Sequence, residues 1–293
     1  MAIDYAKLKA WSFKDVEQSY TERDSMLYAL GLGVGHDPMD EQQLDFVYEK
    51  NLKALPTMAV VLGYPGFWMK DPASGIDWVR IVHGEQSLKL HRLLPVKGTV
   101  IGRSHIRALV DKGKGRGALV VQERSLHDKA SGELLATLEH VTFCRADGGF
   151  SQAADNGPKG GDPPPPAKPA TPDAPADATC DLPTLPQAAL IYRLCADPNP
   201  LHAEPAVAKE AGFPRPILHG LATYGVAGHA ILKTYCNYDP ARLKSLGVRF
   251  SAPVYPGETI RTEMWRSGDT LQFRARVLER DLVVLSHGTA EVA

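Results

Sequence analysis

The stretch ILHGLATYGVAGHAILKTYC, residues 217–236, decides the fold. Apolar and small residues occupy nearly every face of a helix drawn through it, and a helix that is apolar all round is a buried helix. Strand-like runs follow, and in one of them Leu271, Phe273 and Ala275 alternate with polar residues. The pattern predicts an antiparallel sheet, solvated on one face, that wraps a long buried helix. The runs are Leu246–Val254, Thr259–Trp265, Leu271–Leu278 and Leu282–Val292.

The first half of the chain repeats this layout. Pro56–Tyr64 is a shorter helix candidate, and it is also followed by strand-like runs. Residues 95–101 (PVKGTVI) resemble residues 253–260 (PVYPGETI) with one residue inserted, and each opens the second run after a helix. Such an echo at matching places indicates two copies of one unit. The runs are Val79–Leu90, Thr99–Val110, Gly117–Arg124 and Leu134–Cys144.

A stretch rich in Pro, Gly, Ala and Asp separates the two copies. Residues 151–180 have little to bury, and we expect them to form an extended, solvated linker. An N-terminal domain is therefore predicted at residues 1–150 and a C-terminal domain at residues 181–293. A partner-binding polyproline segment is the alternative interpretation, but Pro-rich tethers between domains are the commoner case.

Composition narrows the class of protein. The 293 residues are 44% apolar and 23% charged, which suits a globular protein with a real core. Lys and Arg (33) nearly balance Asp and Glu (34), so no net field favours nucleic acid or an anionic membrane.

The start MAIDYAKLKAW has no signal-peptide pattern, the end AEVA is not an SKL-type peroxisomal address, and no spanning apolar run occurs. Four dispersed cysteines indicate reduced thiols. These features predict a cytoplasmic protein.

Residues 192–220 (YRLCADPNPLHAEPAVAKEAGFPRPILHG) carry the chemistry. Asp197 and His202 lie on a polar loop between two predicted helices. A carboxylate beside an imidazole can take a proton from water and deliver one to a substrate carbon, as hydration requires. Gly220 opens the buried helix, where free N–H groups can hold a developing negative charge. Taken alone, the spacing leaves solvated or capping roles open for the Asp and the His, and it favours a capping role for His219.

The spacing Y-x-L-x-x-D-x-N-P-L-H, followed by A-x-x-A-G-F and P-I-L-H-G-L, resembles the hydratase 2 motif of the MaoC-like dehydratases. It is especially similar to the hydratase 2 domains of the type 2 peroxisomal multifunctional enzymes. Ordered matches cover nearly the whole chain, so the resemblance does not rest on one motif. They are residues 20–24, 28–31, 47–49, 55–57, 83–86, 111–113, 249–250, 253–257 and 263–265.

The resemblance implies an α+β double hot-dog fold, with two antiparallel sheets that each wrap a long buried helix. It also implies hydration of trans-2-enoyl-CoA to (3R)-3-hydroxyacyl-CoA. No bound cofactor is implied, because coenzyme A is part of the substrate, and the histidines show no metal-ligand spacing. The first half lacks the D-x-N-P-x-H motif and would house the acyl chain. The implied catalytic residues are Asp197, His202, Asn199 and the N–H of Gly220, and the implied substrate-binding residues are His83, Gly84, Lys112, Phe250 and Glu49.

Several alternatives stay open at this point. Ala196 stands where the family usually has glycine before the catalytic Asp. If that position needs a positive φ, alanine would strain the loop, so a non-catalytic acyl-CoA-binding protein is one alternative. Hot-dog proteins also include thioesterases, although the D-x-N-P-x-H loop is not expected for hydrolysis. The basic loop Lys112–Arg116 fits either the CoA phosphates or a solvated turn. Acyl-chain length, pathway and the choice between a monomer and a homodimer are left undecided.

Overall fold

The computed structural model describes residues 3–151, 160–195 and 197–293 of the chain. These ranges contain α-helices, strands and short 3₁₀ segments. The strands are β1 (Val16–Tyr20), β2 (Ile81–Leu90), β3 (Gly98–Asp111), β4 (Ala118–Asp128), β5 (Leu134–Cys144), β6 (Ala178–Pro183), β7 (Leu243–Phe250), β8 (Thr259–Ser267), β9 (Thr270–Val277) and β10 (Leu282–Val292). The α-helices are α1 (Tyr5–Lys9), α2 (Glu22–Gly31), α3 (Glu41–Leu44), α4 (Ala188–Tyr192), α5 (Pro205–Glu210) and α6 (Gly220–Tyr235). The 3₁₀ segments are Pro56–Val61, Trp68–Lys70, Pro72–Ser74, Trp78–Arg80, Pro200–His202 and Pro240–Arg242.

All the strands belong to one antiparallel sheet, in the order β1-β3-β4-β5-β2-β7-β10-β9-β8-β6. From the outer edge to the middle of the sheet, the first half has the order β1-β3-β4-β5-β2 and the second half the order β6-β8-β9-β10-β7. In both halves the first strand of the chain is outermost and the second is innermost, as a duplicated unit requires. The halves meet where β2 pairs with β7, from Glu85 opposite Arg249 to Lys89 opposite Ser245. The predicted double hot-dog fold is confirmed, and its two sheets are continuous through this seam.

Helix α6 is the buried helix predicted from residues 217–236. Every residue from Ala222 to Leu232 is buried. A Cβ added at Gly225 would lie 2.6 Å from the Leu32 side chain, and one at Gly228 would lie 2.6 Å from that of Thr57. Because Leu32 and Thr57 belong to the first half, α6 packs against both halves. Nowhere in the described ranges does a helix reach the length and apolarity needed to cross a membrane.

The first half has a shorter central segment than expected. Instead of a long helix, six buried residues form the 3₁₀ segment Pro56–Val61. The segment ends ahead of Gly63, which has a positive φ of 60° and contacts the backbone of Gly102. Tyr64 precedes a proline, a position that disfavours helical backbone. Both features prevent the predicted helix from continuing to Tyr64.

The predicted strand runs are recovered with small shifts. Leu134–Cys144 and Leu282–Val292 have the predicted bounds, and the other runs move by a few residues at one or both ends. The two outermost strands, β1 and β6, were not predicted from the sequence. Each is short and pairs on one side, with β3 and β8 respectively.

The predicted linker has definite contacts where the structure describes it. Residues 152–159 lie outside the described ranges, and the residues from 160 to 177 form no helix or strand. The Asp162 carboxylate accepts hydrogen bonds from the Tyr5 hydroxyl, the Lys9 ammonium and the Leu109 N–H. The Lys168 ammonium lies 2.7 Å from the Glu85 carboxylate. Strand β6 begins inside the predicted linker, at Ala178. The segment is therefore extended but not free of the sheet.

Candidate active site

The loop between α4 and α5 is shaped by its own side chains. Asp197 Oδ1 accepts a hydrogen bond from the Asn199 N–H at 3.0 Å, and Asn199 Oδ1 accepts one from the Leu201 N–H at 3.1 Å. These are consecutive Asx turns, which the short side chains of Asp and Asn form readily. Pro200 then opens the 3₁₀ turn that ends at His202. The loop holds the Asp half-buried and brings the His into the interior.

His202 is held in one orientation. Only 8% of the residue is exposed, and Nδ1 lies 2.8 Å from the carbonyl oxygen of Ile217. A carbonyl oxygen only accepts, so Nδ1 carries the proton of the neutral ring and Nε2 keeps its lone pair. Burial lowers the pKa of His202, and the Ile217 carbonyl and the Asp197 charge partly oppose that shift. The imidazole is therefore a neutral base at pH 7.

His219 braces this loop, although the sequence favoured a capping role for it. It occupies the N-cap position of α6, but its side chain makes no capping hydrogen bond. Instead, Nε2 donates to the carbonyl oxygen of Asp197 at 3.0 Å. The ring stacks on His202 with centroids 3.7 Å apart. Burial is the main cause that lowers the pKa of His219 to about 3, so the ring stays neutral. His219 therefore occupies the expected cap position, but its side chain braces the loop instead of capping the helix.

The side chains of Asp197, His202 and His219 converge on one point, with one potential ligand atom of each within 4.8 Å of the others. Such a trio has the spacing of a cation site. Two of its ring nitrogens are already bonded to backbone carbonyls of Ile217 and Asp197. The absence of a metal requirement stays a prediction.

Gly220, at the first position of α6, faces Phe250 of β7. A Cβ on Gly220 would lie 3.2 Å from the Phe250 ring, so glycine leaves the helix start open. The first N–H groups of a helix have no intrahelical acceptor. The Gly220 N–H therefore has no acceptor within its helix and lies next to His219, which contacts the loop of residues 197–202, and its oxyanion role stays a prediction.

The first half contributes residues to the same region. The His83 ring lies 4.5 Å from that of Phe250 and stacks on His140 at 3.7 Å. Burial lowers the pKa of His83 to about 4. Gly84 follows at a register shift between β2 and β5, where a Cβ would lie 3.2 Å from the Val141 carbonyl oxygen. Phe250 thus lies beside the start of α6, His83 contacts Phe250, and Gly84 is the next residue in the chain, while their substrate-binding role stays a prediction.

The other predicted binding residues lie further out. The Lys112 ammonium is 5.1 Å from the centroid of the Phe143 ring, and Phe143 Cβ is 3.9 Å from the position a Gly84 Cβ would take. Lys112 is therefore one side chain away from Gly84. Glu49 is exposed in the turn after α3, and no hydrogen bond or ion pair within the described ranges ties it to the site. Its supporting role stays a prediction. Ala196 lies outside the described residues.

Two polar residues of the first half were not anticipated. Tyr64 follows the 3₁₀ segment, and Arg124 is buried on β4 with its Cζ 5.7 Å from the Tyr64 ring centroid. Burial raises the pKa of Tyr64, the Arg124 charge opposes this, and the Asp197 charge adds to it. Both charges therefore act on the Tyr64 phenol. Alternation along β4 predicts that the Arg124 side chain points into the protein. The residues that surround it are determined by the pairing of β4 with β3 and β5.

Comparison with known families agrees with the geometry. A family model described as "MFE-2 hydratase 2 N-terminal domain" matches residues 18–146, and one described as "MaoC like domain" matches residues 167–287. "Enoyl-CoA hydratase 2, peroxisomal" of Arabidopsis thaliana is 38% identical, over 95% of this chain and 92% of its own. The chain belongs to the MaoC-like enoyl-CoA hydratase 2 family. It is thus an enzyme of the hydro-lyase class, as the sequence motif predicted.

Other similar proteins also match nearly the whole chain. "3-hydroxyacyl-thioester dehydratase Y" of Mycobacterium tuberculosis is 38% identical, over 93% of this chain and 92% of its own. A crystal structure of a MaoC-like dehydratase from Phytophthora capsici superposes with a TM-score of 0.84, at 34% identity over 98% of both chains. The peroxisomal multifunctional enzyme type 2 of Drosophila melanogaster gives a TM-score of 0.78, at 32% identity over 95% of this chain and 48% of its own. The cytoplasmic location stays a prediction.

Proposed function

We propose that this chain adds water to trans-2-enoyl-CoA and forms (3R)-3-hydroxyacyl-CoA, with Asp197 and His202 as its acid–base pair. The observation that carries the proposal is the convergence of the two side chains beside the N-terminus of α6. The Asp is held by its turn and the His by the Ile217 carbonyl. A carboxylate and a neutral imidazole set at one point can share a single water molecule.

The geometry supports a balanced sequence of proton transfers. His202 Nε2 takes a proton from the water as its oxygen bonds to C3 of the enoyl group. Electrons of the double bond move to the thioester oxygen, where the Gly220 N–H stabilises the enolate charge. The pair then returns the proton to C2, so that the elements of water end on C3 and C2 and the pair is regenerated. Asn199 Oδ1 is engaged within the loop, which leaves its amide N–H₂ group to orient the water or the substrate.

The substrate is proposed to lie between the two halves. Phe250 lies beside Gly220 at the start of α6, and His83 contacts Phe250. Lys112 lies one side chain away from Gly84 and would supply a charge for the CoA portion. The first half, which has no second catalytic loop, would receive the acyl chain.

Crotonyl-CoA tests the proposal against its rivals. Loss of the conjugated enoyl absorbance without free thiol indicates hydration, release of free thiol indicates hydrolysis, and neither change indicates a binding protein. Chiral analysis of the product checks the (3R) configuration, and a (3S) product would refute the stereochemical part alone. A series of chain lengths would then define the substrate range.

A further inference from the structure

Arg124 is a buried cation that the hydration mechanism does not use. It is 7% exposed, and its Nη2 donates to the Val60 carbonyl oxygen at 2.6 Å. Its Nε–H is buried without an acceptor, and no carboxylate of the described residues pairs with it. A guanidinium keeps its charge in proteins, and a buried charge without a partner is unfavourable. The described residues therefore leave the charge of Arg124 without an anionic partner.

The neighbours of Arg124 supply no negative charge. Ser104 lies opposite it on β3, and the Ser104 hydroxyl is also buried without a partner. His140 lies on the neighbouring strand β5 and stacks on His83. Burial lowers the pKa of both rings, to about 4 for His83 and well below the usual range for His140, where the Arg124 charge adds to the lowering. The surroundings of Arg124 thus supply neutral rings and an unpaired hydroxyl.

A chain of ring contacts links Arg124 to the start of α6. Arg124 shares a face of β4 with Gln122, which pairs with His140 of β5. The His140 ring stacks on His83, and the His83 ring lies 4.5 Å from that of Phe250, which faces Gly220. The Arg124 guanidinium thus lies beyond these rings, in the half that has no catalytic motif. A group bound there would be the distal part of a substrate whose C2 and C3 lie at the Asp197 carboxylate.

We propose that Arg124 binds a carboxylate at the far end of the acyl chain, so that the enzyme favours enoyl-CoAs derived from dicarboxylic acids over methyl-ended ones of equal length. This inference rests on the proposed function. A carboxylate matches the planar fork of a guanidinium and would accept from the free Nε–H. The neutral pantetheine amides cannot compensate the charge, and the CoA phosphates are too bulky and hydrated for a buried pocket.

The test compares carboxylate-ended and methyl-ended trans-2-enoyl-CoAs over a series of equal lengths, by kcat/KM for hydration. We expect a preference for the carboxylate of roughly tenfold or more at the length that reaches Arg124, the worth of a charge-assisted hydrogen bond. Arg124→Met should abolish the preference, and Arg124→Lys should keep part of it because the charge stays without the fork. Arg103→Met, an exposed arginine of β3, is the matched control and should keep the preference.

Two outcomes would overturn the assignment. One is a wild-type enzyme with no preference at any length. The other is an Arg124→Met variant that loses equal activity on both series and keeps the preference, which would show that Arg124 only supports Tyr64 and Val60. If that variant does not fold, calorimetric binding of saturated carboxylate-ended and methyl-ended acyl-CoAs to the wild type decides the matter. Binding is measured without turnover, so a failure of the proposed hydration is distinguished from a failure of the carboxylate site.

Discussion

Asp197 and His202 are held with different firmness. The Asp is half-buried, and its carboxylate makes one hydrogen bond, to a backbone N–H of its own loop. The His is buried, bonded through Nδ1 and stacked on His219. The site therefore combines an imidazole held in one orientation with a more accessible carboxylate. Substitution of the two residues should affect the stability of the protein differently.

Asp197→Asn and His202→Gln should each lower kcat for crotonyl-CoA by about 10²–10⁴, the usual worth of an acid–base group. The double variant should be little worse than either single one, because both groups act on one water. Thermal melting should change little for Asp197→Asn, while His202→Gln should lose about 1 kcal/mol with the bond to Ile217. A rate within tenfold of wild type would remove that residue from the mechanism.

The pH dependence of hydration should report His202. The reaction needs the neutral imidazole, and burial lowers the pKa of that ring below its ordinary 6.5. The base is thus already neutral at pH 7, and kcat/KM should stay level near neutrality and fall only as the pH drops below 6.5. A pH–rate profile of the free enzyme measures the inflection, and His202→Gln is the control that should lack it. An inflection above the ordinary value would contradict the assigned role.

The catalytic residues could be found from the sequence because one contiguous segment contains them. Asp197, Asn199, His202 and Gly220 lie within about two dozen positions. The bracing role of His219 was missed, since its partner is a backbone carbonyl 22 residues away. Arg124 was missed for a stronger reason. Its setting depends on which residues of β3 and β5 pair with β4 and on the contact of Arg124 with the Val60 carbonyl. Neither the register of the sheet nor this long-range contact has a local sequence signature.

Among the elements, α6 and the segment Pro56–Val61 show what periodicity can and cannot predict. An apolar run on all faces specified α6, and alternation specified the inner strands. The equivalent run in the first half is equally apolar, but a proline after Tyr64 and the positive φ of Gly63 limit it to a 3₁₀ turn. Edge strands β1 and β6 alternate regularly, but each is only five or six residues long and has one buried residue, Tyr20 or Leu182. Patterns this short do not separate a strand from a loop.

Gly228→Ala should destabilise the protein, although alanine favours helices by about 1 kcal/mol. The added Cβ would lie 2.6 Å from Thr57 Cγ2 and 3.3 Å from Leu246 Cδ2, so the contact between α6 and the first half must open. We expect a net loss of about 1–2 kcal/mol in denaturant unfolding, in the range of overpacked cores. Lys233→Ala, exposed on the same helix, should change the free energy of unfolding by less than about 0.5 kcal/mol. If Gly228→Ala changes the free energy of unfolding no more than Lys233→Ala does, the core accommodates the added Cβ and the prediction of overpacking is wrong.

At the scale of the whole molecule, the linker is tied to the sheet. Asp162→Ala leaves the Leu109 N–H without its acceptor and removes the bonds to Tyr5 and Lys9. The free energy of unfolding should fall by about 1–3 kcal/mol. Asp173→Ala, on an exposed part of the same stretch, should have little effect. If both variants match wild type, residues 151–180 act as a tether alone, as the composition predicted.

The two halves should not work apart. Strand β2 pairs with β7 through five residue pairs, and α6 packs Gly225 on Leu32 and Gly228 on Thr57. Residues 181–293 expressed alone would expose the apolar face of α6 and the edge of β7, both aggregation-prone surfaces.

We expect this fragment to aggregate or to hydrate crotonyl-CoA at least about a hundredfold more slowly than the intact chain. The expectation follows because the fragment would lack His83, which contacts Phe250, and the first-half contacts of α6. A displacement of about 1 Å at a reacting centre already costs about 10²-fold in rate. Co-expression with residues 1–150 should restore part of the activity, since the seam is non-covalent. Full activity of the isolated fragment would show that the first half is dispensable for short substrates, and the shared site would have to be withdrawn.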